Sequence, residues 1–196
     1  MIGKIIFKGR VKMLETERLR IRNFVSEDSK SCFESWGQDK NLGKYIILYP
    51  MSDVSQMESL VNSLVNNKNA WILEEKITGN VIGYITVDIP YELLKVGELG
   101  YVIAEKYQHC GYAYEALTCI IKRYLYEEEL YLLEAKYNEN NIASSKLLNK
   151  LGFQVEASLR GRRIDRHSGE RDNLIVCSLT KDEVIPFTCG YLEKFV

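Results

Sequence analysis

The chain has 196 residues, 46% of them hydrophobic and 27% charged, and its formal net charge is -1 with a pI near 6.2. A chain of this length buries roughly 70% of its unfolded surface, so one globular domain can form a core without disulfides or metals. The near-neutral charge gives no sign of a strongly basic face, which argues against nucleic acid or a membrane as a partner. No stretch approaches the roughly 18 apolar residues of a membrane span, and residues 1–13 lack a signal-peptide pattern, so we expect a cytoplasmic protein.

The five cysteines are odd in number and show no CxxC spacing. We expect them to be buried thiols in a reducing compartment rather than disulfides or zinc ligands: Cys32, Cys110, Cys119, Cys177 and Cys189. His109 and His167 have no cysteine or acidic neighbour at metal-binding spacing. We therefore expect no metal site and interpret both histidines as surface or loop residues.

The chain begins its regular structure with a strand and two helices. Residues 14–22, LETERLRIR, alternate as a strand does, and Ser26 is placed to cap a short helix after it. A second helix follows Ser52 or Asp53, and its apolar residues have helical spacing that favours plain core packing: Val54, Met57, Leu60, Val61, Leu64 and Val65.

Three strands come next. AWILEEK (70–76) and VIGYITVD (81–88) are joined by ITGN, in which Gly79 and Asn80 are expected to supply the positive backbone angles of a tight hairpin. A further strand spans about 96–104.

The following elements alternate between helix and strand. An amphipathic helix is predicted from Ala113 to about Glu127, and LYLLEAKY (130–137) reads as a buried strand. Asn141 begins a short helix that Gly152 ends in the left-handed conformation, which glycine adopts without steric cost.

The last predicted element is a hairpin of residues 155–163 and 173–179 across HSGE. The complete order gives one α/β (α+β) domain with a mixed central sheet of six to seven strands flanked by about four helices. We expect this domain to span 14–183, with an N-terminal extension at 1–13 and a C-terminal tail at 184–196.

The segment YQHCGYAYEAL (107–117) connects a predicted strand to a predicted helix. A helix start leaves about four N–H groups without partners and carries about half a positive charge, so it suits a phosphate. Gly111 removes the side chain that would block a phosphate, Ala113 is small, and Gln108 contributes an amide. A glycine before a helix is more often a simple turn than a phosphate-binding site, so other motifs are needed to distinguish these two interpretations.

Those companion motifs resemble the GNAT N-acetyltransferase superfamily, which carries Q/R-x-x-G-x-G/A at this junction. Gln108 to Ala113 match that pattern. Three further stretches resemble the branch of Rim-type ribosomal-protein and small-amine acetyltransferases: ETERLRIR, GELGYVIAEKYQHCGYAYEAL and NIASSKLLNKLGF. The likeness extends from residue 14 to about 183, and the motifs are in order and correctly spaced.

The resemblance implies acetyl-coenzyme A (acetyl-CoA) as co-substrate. Backbone groups of Tyr101, Val102 and Ile103 would pair with the pantetheine arm as an added strand does, and Asn141 would contact the same arm. The pyrophosphate would lie against the loop and helix start, at Gln108, His109, Cys110, Gly111, Tyr112, Ala113 and Tyr114.

Two residues are candidates for the proton steps of acetyl transfer. Glu98 either acts as general base towards the amine or is a carboxylate that orders a loop or fixes the acceptor's charge. Many GNAT enzymes protonate the leaving thiolate with a tyrosine at the position occupied here by Leu148. The Rim-type branch has a serine instead, and Ser144 matches it, with Ser145 as an alternative.

Two classes of function stay open. The first is an N-acetyltransferase acting on a primary amine, either a protein N-terminus or a small molecule. The second is a non-catalytic acyl-CoA-binding sensor or scaffold. A mononucleotide-binding enzyme is weaker, because no Walker-type lysine follows Gly111.

The acceptor side and the surface carry further alternatives. Trp36, Tyr45 and Tyr49 are expected to line the acceptor side or to belong to the core. The arginine-rich run at 160–166 reads as a solvated hairpin edge that could also hold an acidic acceptor or the coenzyme's ribose phosphate. Cys110 is either a small loop filler or a reactive thiol. The apolar tail could pack on this domain or on a second copy in a homodimer.

Overall fold

Eight strands form one sheet in the order β1-β2-β3-β4-β5-β6-β8-β7. The structure is a computed structural model and describes residues 13–41, 44–45, 50–165 and 168–184. Neighbouring strands are antiparallel except β5 and β6, which run parallel. The strands are β1 (Met13–Glu15), β2 (Leu19–Asn23), β3 (Ala70–Glu75), β4 (Val81–Asp88), β5 (Val96–Ile103), β6 (Leu132–Asn138), β7 (Gln154–Ile164) and β8 (Arg171–Thr180).

Four α-helices lie in the described part of the chain: α1 (Asp28–Cys32), α2 (Val54–Val65), α3 (Tyr112–Lys122) and α4 (Ile142–Lys150). Helices α1 and α3 each continue into one π-helical segment, Phe33–Gly37 and Arg123–Glu127.

The sheet separates two hydrophobic cores, because successive side chains of a strand point to opposite faces. On β3, Ile72 packs with Met57 of α2, whereas Trp71 and Leu73 pack with Leu117 of α3. The predicted α/β (α+β) class, the mixed sheet and the four helices are confirmed. The sheet has one strand more than the upper number predicted.

The additional strand comes from the segment 14–22, which is a hairpin rather than one strand. Thr16 N–H donates to Leu19 O at 3.0 Å and turns the chain. The turn is fixed from outside by Glu115 of α3, which accepts from Thr16 Oγ1 at 2.5 Å and from Arg18 N–H at 2.8 Å. The alternation of residues within 14–22 could not predict this turn, because the helix that holds it lies about a hundred residues away in the sequence.

Two turn predictions are wrong in detail. Ser26 does not cap the first helix, which begins at Asp28; the Asp28 carboxylate instead accepts from Val25 N–H at 2.9 Å and pairs with Arg22. Asn80 does not adopt a positive φ, because Gly79 alone supplies it with φ 72°. Three helix-end predictions are confirmed. Asp53 and Asn141 cap α2 and α4, and Gly152 ends α4 with φ 96°.

The described cysteines are all free thiols, but they are not all buried. Cys32 and Cys177 are buried and Cys119 partly so, whereas Cys110 is exposed because it lies in a surface loop. Cys189 and His167 lie outside the described residues, and His109 is exposed. Within the described ranges, no group of His, Cys, Asp and Glu could hold a metal ion, and no helix is long and apolar enough to cross a membrane.

Candidate active site

The parallel strands β5 and β6 separate partway along their length. Their pairing runs from Val96 and Leu132 to Leu99 and Ala135 and then stops. Strand β5 nevertheless continues to Ile103, paired on its other side with β4. From Gly100 onwards, the edge of β5 that faces β6 therefore has no strand partner among the described residues.

The loop after β5 turns tightly into α3. His109 and Gly111 both have left-handed backbones, with φ of 60° and 82°. Gln108 Nε2 donates to Ile103 O at 3.0 Å and holds the loop against the end of β5. Glu115 N–H is bonded to Gly111 O at 3.1 Å, so the amides of Tyr112 and Ala113 precede the first hydrogen bond of α3. These amides and the helix dipole make an anion-binding start.

A cleft of about 810 Å³ runs along the free edge of β5 and the start of α3 to the start of α4. It brings Ser144 together with ten of the predicted cofactor-binding residues. Those ten residues are Tyr101, Val102, Ile103, Gln108, His109, Gly111, Tyr112, Ala113, Tyr114 and Asn141. Cys110 and Glu98 do not line it. Tyr45 does, whereas Trp36 is 1% exposed and belongs to the core, and Tyr49 lies outside the described residues.

Cys110 turns away from the cleft. Its thiol donates to Gln108 O at 3.3 Å, and its carbonyl accepts from Arg18 Nη1 at 3.0 Å. The described arginines of the run 160–166 also lie away from the cleft, on β7. Among the described residues, the lysines that line the cleft are Lys44 and Lys146, which sequence reasoning missed.

Sequence reasoning also missed a group of side chains that braces residues 108–111, which we call the phosphate loop after the ligand expected there. Arg18 Nε donates to Glu115 Oε2 at 2.7 Å, and its guanidinium lies 4.2 Å from the centre of the Tyr112 ring. The Tyr112 hydroxyl in turn donates to Glu75. Burial alone would raise the pKa of Glu115. The hydrogen bonds from Thr16 and Arg18 lower this pKa by more than burial raises it, so it lies below the ordinary value. We call Thr16, Arg18, Glu75, Tyr112 and Glu115 the loop brace.

Two serines of α4 face the gap between β5 and β6. Ser144 N–H donates to Asn141 Oδ1 at 3.1 Å, which fixes the first turn of the helix. The Ser144 side chain neighbours Tyr101 of β5, and Ser145 Oγ lies 3.4 Å from Tyr137 Oη of β6. Leu148, at the position where many GNAT enzymes have a tyrosine, is 2% exposed and packs in the core.

Glu98 lies on the opposite face of the sheet, because Leu99 next to it packs in the α3 core. Lys136 Nζ bridges Glu98 at 2.7 Å and Glu134 at 3.0 Å. The hydrogen bond from Lys136 to Glu98 raises the lysine's pKa. Glu98 therefore sits within one residue of the point where the strands part, as a charged and half-exposed carboxylate.

The separated strands, the anion-binding helix start and the long cleft between them define a site for an extended ligand that carries phosphate. Residues 18–154 match the Acetyltransferase (GNAT) domain family. The chain is 30% identical to the Uncharacterized N-acetyltransferase p20 of Bacillus licheniformis over 178 residues, which is 88% of this chain and 98% of that protein. This protein therefore belongs to the GNAT acetyltransferase family.

Solved structures agree on the fold. A GNAT-family acetyltransferase from Bacillus anthracis superposes with a TM-score of 0.76 at 22% identity, covering 87% of this chain and 99% of that one. The ribosomal L7/L12 α-N-protein acetyltransferase RimL, in complex with coenzyme A, superposes with a TM-score of 0.75 at 14% identity, covering 86% and 97%. The predicted GNAT family is confirmed, and Rim-type acetyltransferases are among the solved structures that share its fold.

Membership of this family gives the protein an acetyl-CoA-dependent N-acetyltransferase domain, with acetyl-CoA as co-substrate. The residues present suit that molecule. An unpaired strand edge offers main-chain groups to the amides of a pantetheine arm, and the glycine-containing helix start suits a pyrophosphate.

Proposed function

We propose that the protein transfers the acetyl group of acetyl-CoA to a primary amine, which is either the N-terminus of a protein or a small-molecule amine. The observation that carries this proposal is the free edge of β5, which leads from Glu98 at one end to the N–H groups of α3 at the other. The names of the relatives support the reaction, and the amine is our inference.

The predicted binding residues have distinct tasks in this proposal. Main-chain groups of 101–103 pair with the pantetheine arm, and the N–H groups from His109 to Tyr114 hold the pyrophosphate. The side-chain oxygen of Asn141 already accepts from Ser144 N–H, so its amide N–H₂ remains to donate to the pantetheine. Lys146, which lines the cleft, adds a positive charge for the coenzyme's phosphates.

The amine has to lose a proton before it attacks. An α-amine with a pKa near 8 is on the order of 10% neutral at pH 7, whereas a lysine-like amine near 10.4 costs about 4.6 kcal/mol to deprotonate. Glu98 accepts this proton, directly or through a water, on the face of the sheet next to the separated strands. Lys136 Nζ holds the Glu98 carboxylate in place with a hydrogen bond of 2.7 Å.

Acetyl-CoA supplies a thioester carbonyl that is open to direct attack, so no covalent enzyme intermediate is required. A strand N–H at the free edge of β5 stabilises the negative charge that develops on the carbonyl oxygen. As the C–N bond forms and the C–S bond breaks, the nitrogen loses its second proton to solvent, and Ser144 donates a hydrogen bond to the departing sulfur. A weak donor is sufficient, because a thiol has a pKa near 8.5 and its thiolate is a good leaving group.

The buried Leu148 favours a second candidate, in which the protein binds an acyl-CoA without catalysis. This position offers no hydroxyl to the thiolate, and a sensor or scaffold would not need one. The two candidates differ in whether the bound thioester is consumed.

Release of free thiol, measured with an amine panel, separates the candidates. The panel contains peptides with a free α-amine, the same peptides acetylated at that amine but carrying a lysine, and polyamines. We expect thiol release with at least one class of amine and an equal amount of acetylated product. Heat of acetyl-CoA binding in a calorimeter, with no thiol release across the panel, would instead support the binding module.

A further inference from the structure

Tyr101 has a buried hydroxyl that the fold leaves without a hydrogen bond. The ring lines the cleft and packs against the α3 core, but the oxygen is inaccessible to water and has no partner among the described residues. Burial raises the pKa of Tyr101 to about 12, and an interaction of hydrogen-bond type with the Ser144 side chain opposes that rise. The two hydroxyls are thus neighbours, but no hydrogen bond of ordinary geometry joins them.

A buried polar group without a partner costs about 1–3 kcal/mol, so its persistence calls for an explanation. A second tyrosine, Tyr137, provides a comparison. It occupies the next strand, faces the next serine of the same helix, and its hydroxyl lies 3.4 Å from Ser145 Oγ. Tyr137 is therefore partnered within the protein, whereas Tyr101 is not.

The chemistry of the two hydroxyls fixes the direction of a bond between Tyr101 and Ser144. A phenol, with its pKa near 10, is a better donor than an aliphatic hydroxyl, whose oxygen keeps two lone pairs. If Tyr101 donates to Ser144 Oγ, the proton of Ser144 has to point elsewhere. The cleft, which both residues line, is the open direction.

We propose that Tyr101 is a positioning residue for acetyl transfer: with acetyl-CoA in the cleft, its hydroxyl donates to Ser144 Oγ and directs the proton of Ser144 towards the departing sulfur. This rests on the proposed role of Ser144. No proton leaves Ser144 or Tyr101; the sulfur departs as a hydrogen-bonded thiolate and takes a proton from solvent. Tyr101 thereby supplies, from β5, a phenol that position 148 lacks.

The test uses the full chain with acetyl-CoA and the best amine of the panel. We expect Tyr101→Phe to lower kcat about tenfold, the effect of losing one hydrogen bond, while KM for acetyl-CoA and the calorimetric Kd of coenzyme A change less than about twofold. Tyr137→Phe, the matched control, should leave kcat within about twofold. Because Tyr101→Phe removes a hydroxyl without a partner, its thermal unfolding midpoint should not fall.

The double variant distinguishes positioning from a structural role. In a Ser144→Ala background, Tyr101→Phe should have no further effect on kcat. An equal loss in both backgrounds, or no loss in either, overturns the positioning role. An unchanged kcat in Ser144→Ala overturns the role of Ser144 and this inference with it. Absence of thiol release by the unaltered protein, with coenzyme A still bound, overturns the proposed function itself.

Discussion

The two ends of the cleft are built in opposite ways. At the start of α3, the proposed phosphate end, the loop brace is complete: Glu115 accepts hydrogen bonds from Thr16 and twice from Arg18, and Arg18 also holds the carbonyl of Cys110. At the gap between β5 and β6, the proposed thioester end, the edge of β5 has no strand partner among the described residues, and the Tyr101 hydroxyl makes no hydrogen bond with them.

The difference separates binding from turnover. The phosphate end is preorganised, so little conformational freedom is lost when an anion arrives. The thioester end leaves main-chain groups of β5 whose partners come with the substrate, which is where interactions made in the transition state accelerate the reaction. Changes at the phosphate end should therefore affect affinity and stability, and changes at the thioester end should affect kcat.

The largest expected effect is a negative charge in the phosphate loop. We expect Gly111→Glu to weaken acetyl-CoA binding on the order of 10³-fold, because a carboxylate about 4 Å from a phosphate costs about 4 kcal/mol near a protein surface. A side chain at φ 82° adds strain. Isothermal titration calorimetry with coenzyme A measures the change.

Two variants isolate the charge from the strain. Gly111→Gln has the same shape and backbone but no charge, so it should bind more tightly than Gly111→Glu. Gly169→Glu introduces the same charge at φ 74° in the β7–β8 hairpin, away from the cleft, and should bind normally. Normal affinity in Gly111→Glu would show that the phosphates lie elsewhere.

The second effect concerns the thioester end. We expect Glu98→Gln to lower kcat about 10²-fold with a lysine-like amine, and less with an α-amine that is already partly neutral at pH 7. Raising the pH should restore part of the loss with either amine, because less of the amine then needs a base. The measurement is kcat against pH for both classes of amine, with coenzyme A binding unchanged.

Glu134→Gln is the matched control for Glu98→Gln. Both carboxylates contact Lys136 Nζ on the same face of the sheet, Glu134 at 3.0 Å and Glu98 at 2.7 Å. If Glu98 only fixes Lys136 or the acceptor's charge, the two variants should behave alike and raise KM for the amine. A pH profile of Glu98→Gln that matches the unaltered protein would eliminate Glu98 as the base.

The parts of the fold that depend on neighbouring residues were predictable from the sequence. Asp53 and Asn141 cap their helices through N–H groups two or three residues ahead, and Gly152 ends α4 through its own backbone. Gly79 marks the turn between β3 and β4 for the same reason, because its positive φ is a property of its own backbone. The hairpin of β1 and β2 escaped prediction because Glu115, 97 positions from Arg18, holds its turn.

In the candidate site, too, the features within one continuous segment were predictable, and the contacts between distant segments were not. The phosphate loop is one continuous segment, so a motif identifies it and only Cys110 proved to turn away from the cleft. The environment of Glu98 and the position of the Tyr101 side chain next to Ser144 depend on how β5, β6 and α4 meet in space. No spacing in the sequence brings Lys136 to Glu98 or a phenol to Ser144, so these contacts required the structure.

The smallest expected effect tests whether the loop brace is preorganised for binding. Glu115→Gln keeps the shape of the side chain but removes a charge that accepts three hydrogen bonds, which we expect to destabilise the fold by about 1–3 kcal/mol at pH 7. Coenzyme A affinity should fall by less than about tenfold, because the loop amides remain. Urea unfolding and calorimetry measure the two quantities.

The pH dependence of this loss has a definite sign. Because the pKa of Glu115 is lower in the folded than in the unfolded chain, its contribution is fully present above the unfolded value of about 4.3 and is lost as the pH falls through the folded value. The difference in unfolding free energy between the unaltered protein and Glu115→Gln should be constant near pH 7 and should become smaller below about pH 4. Glu34→Gln, in an exposed pair with Lys30 at 3.9 Å, should cost little at either pH. If Glu115→Gln lowered the unfolding free energy no more than Glu34→Gln does, the loop brace would not preorganise the phosphate end, and the two ends of the cleft would not differ in this way.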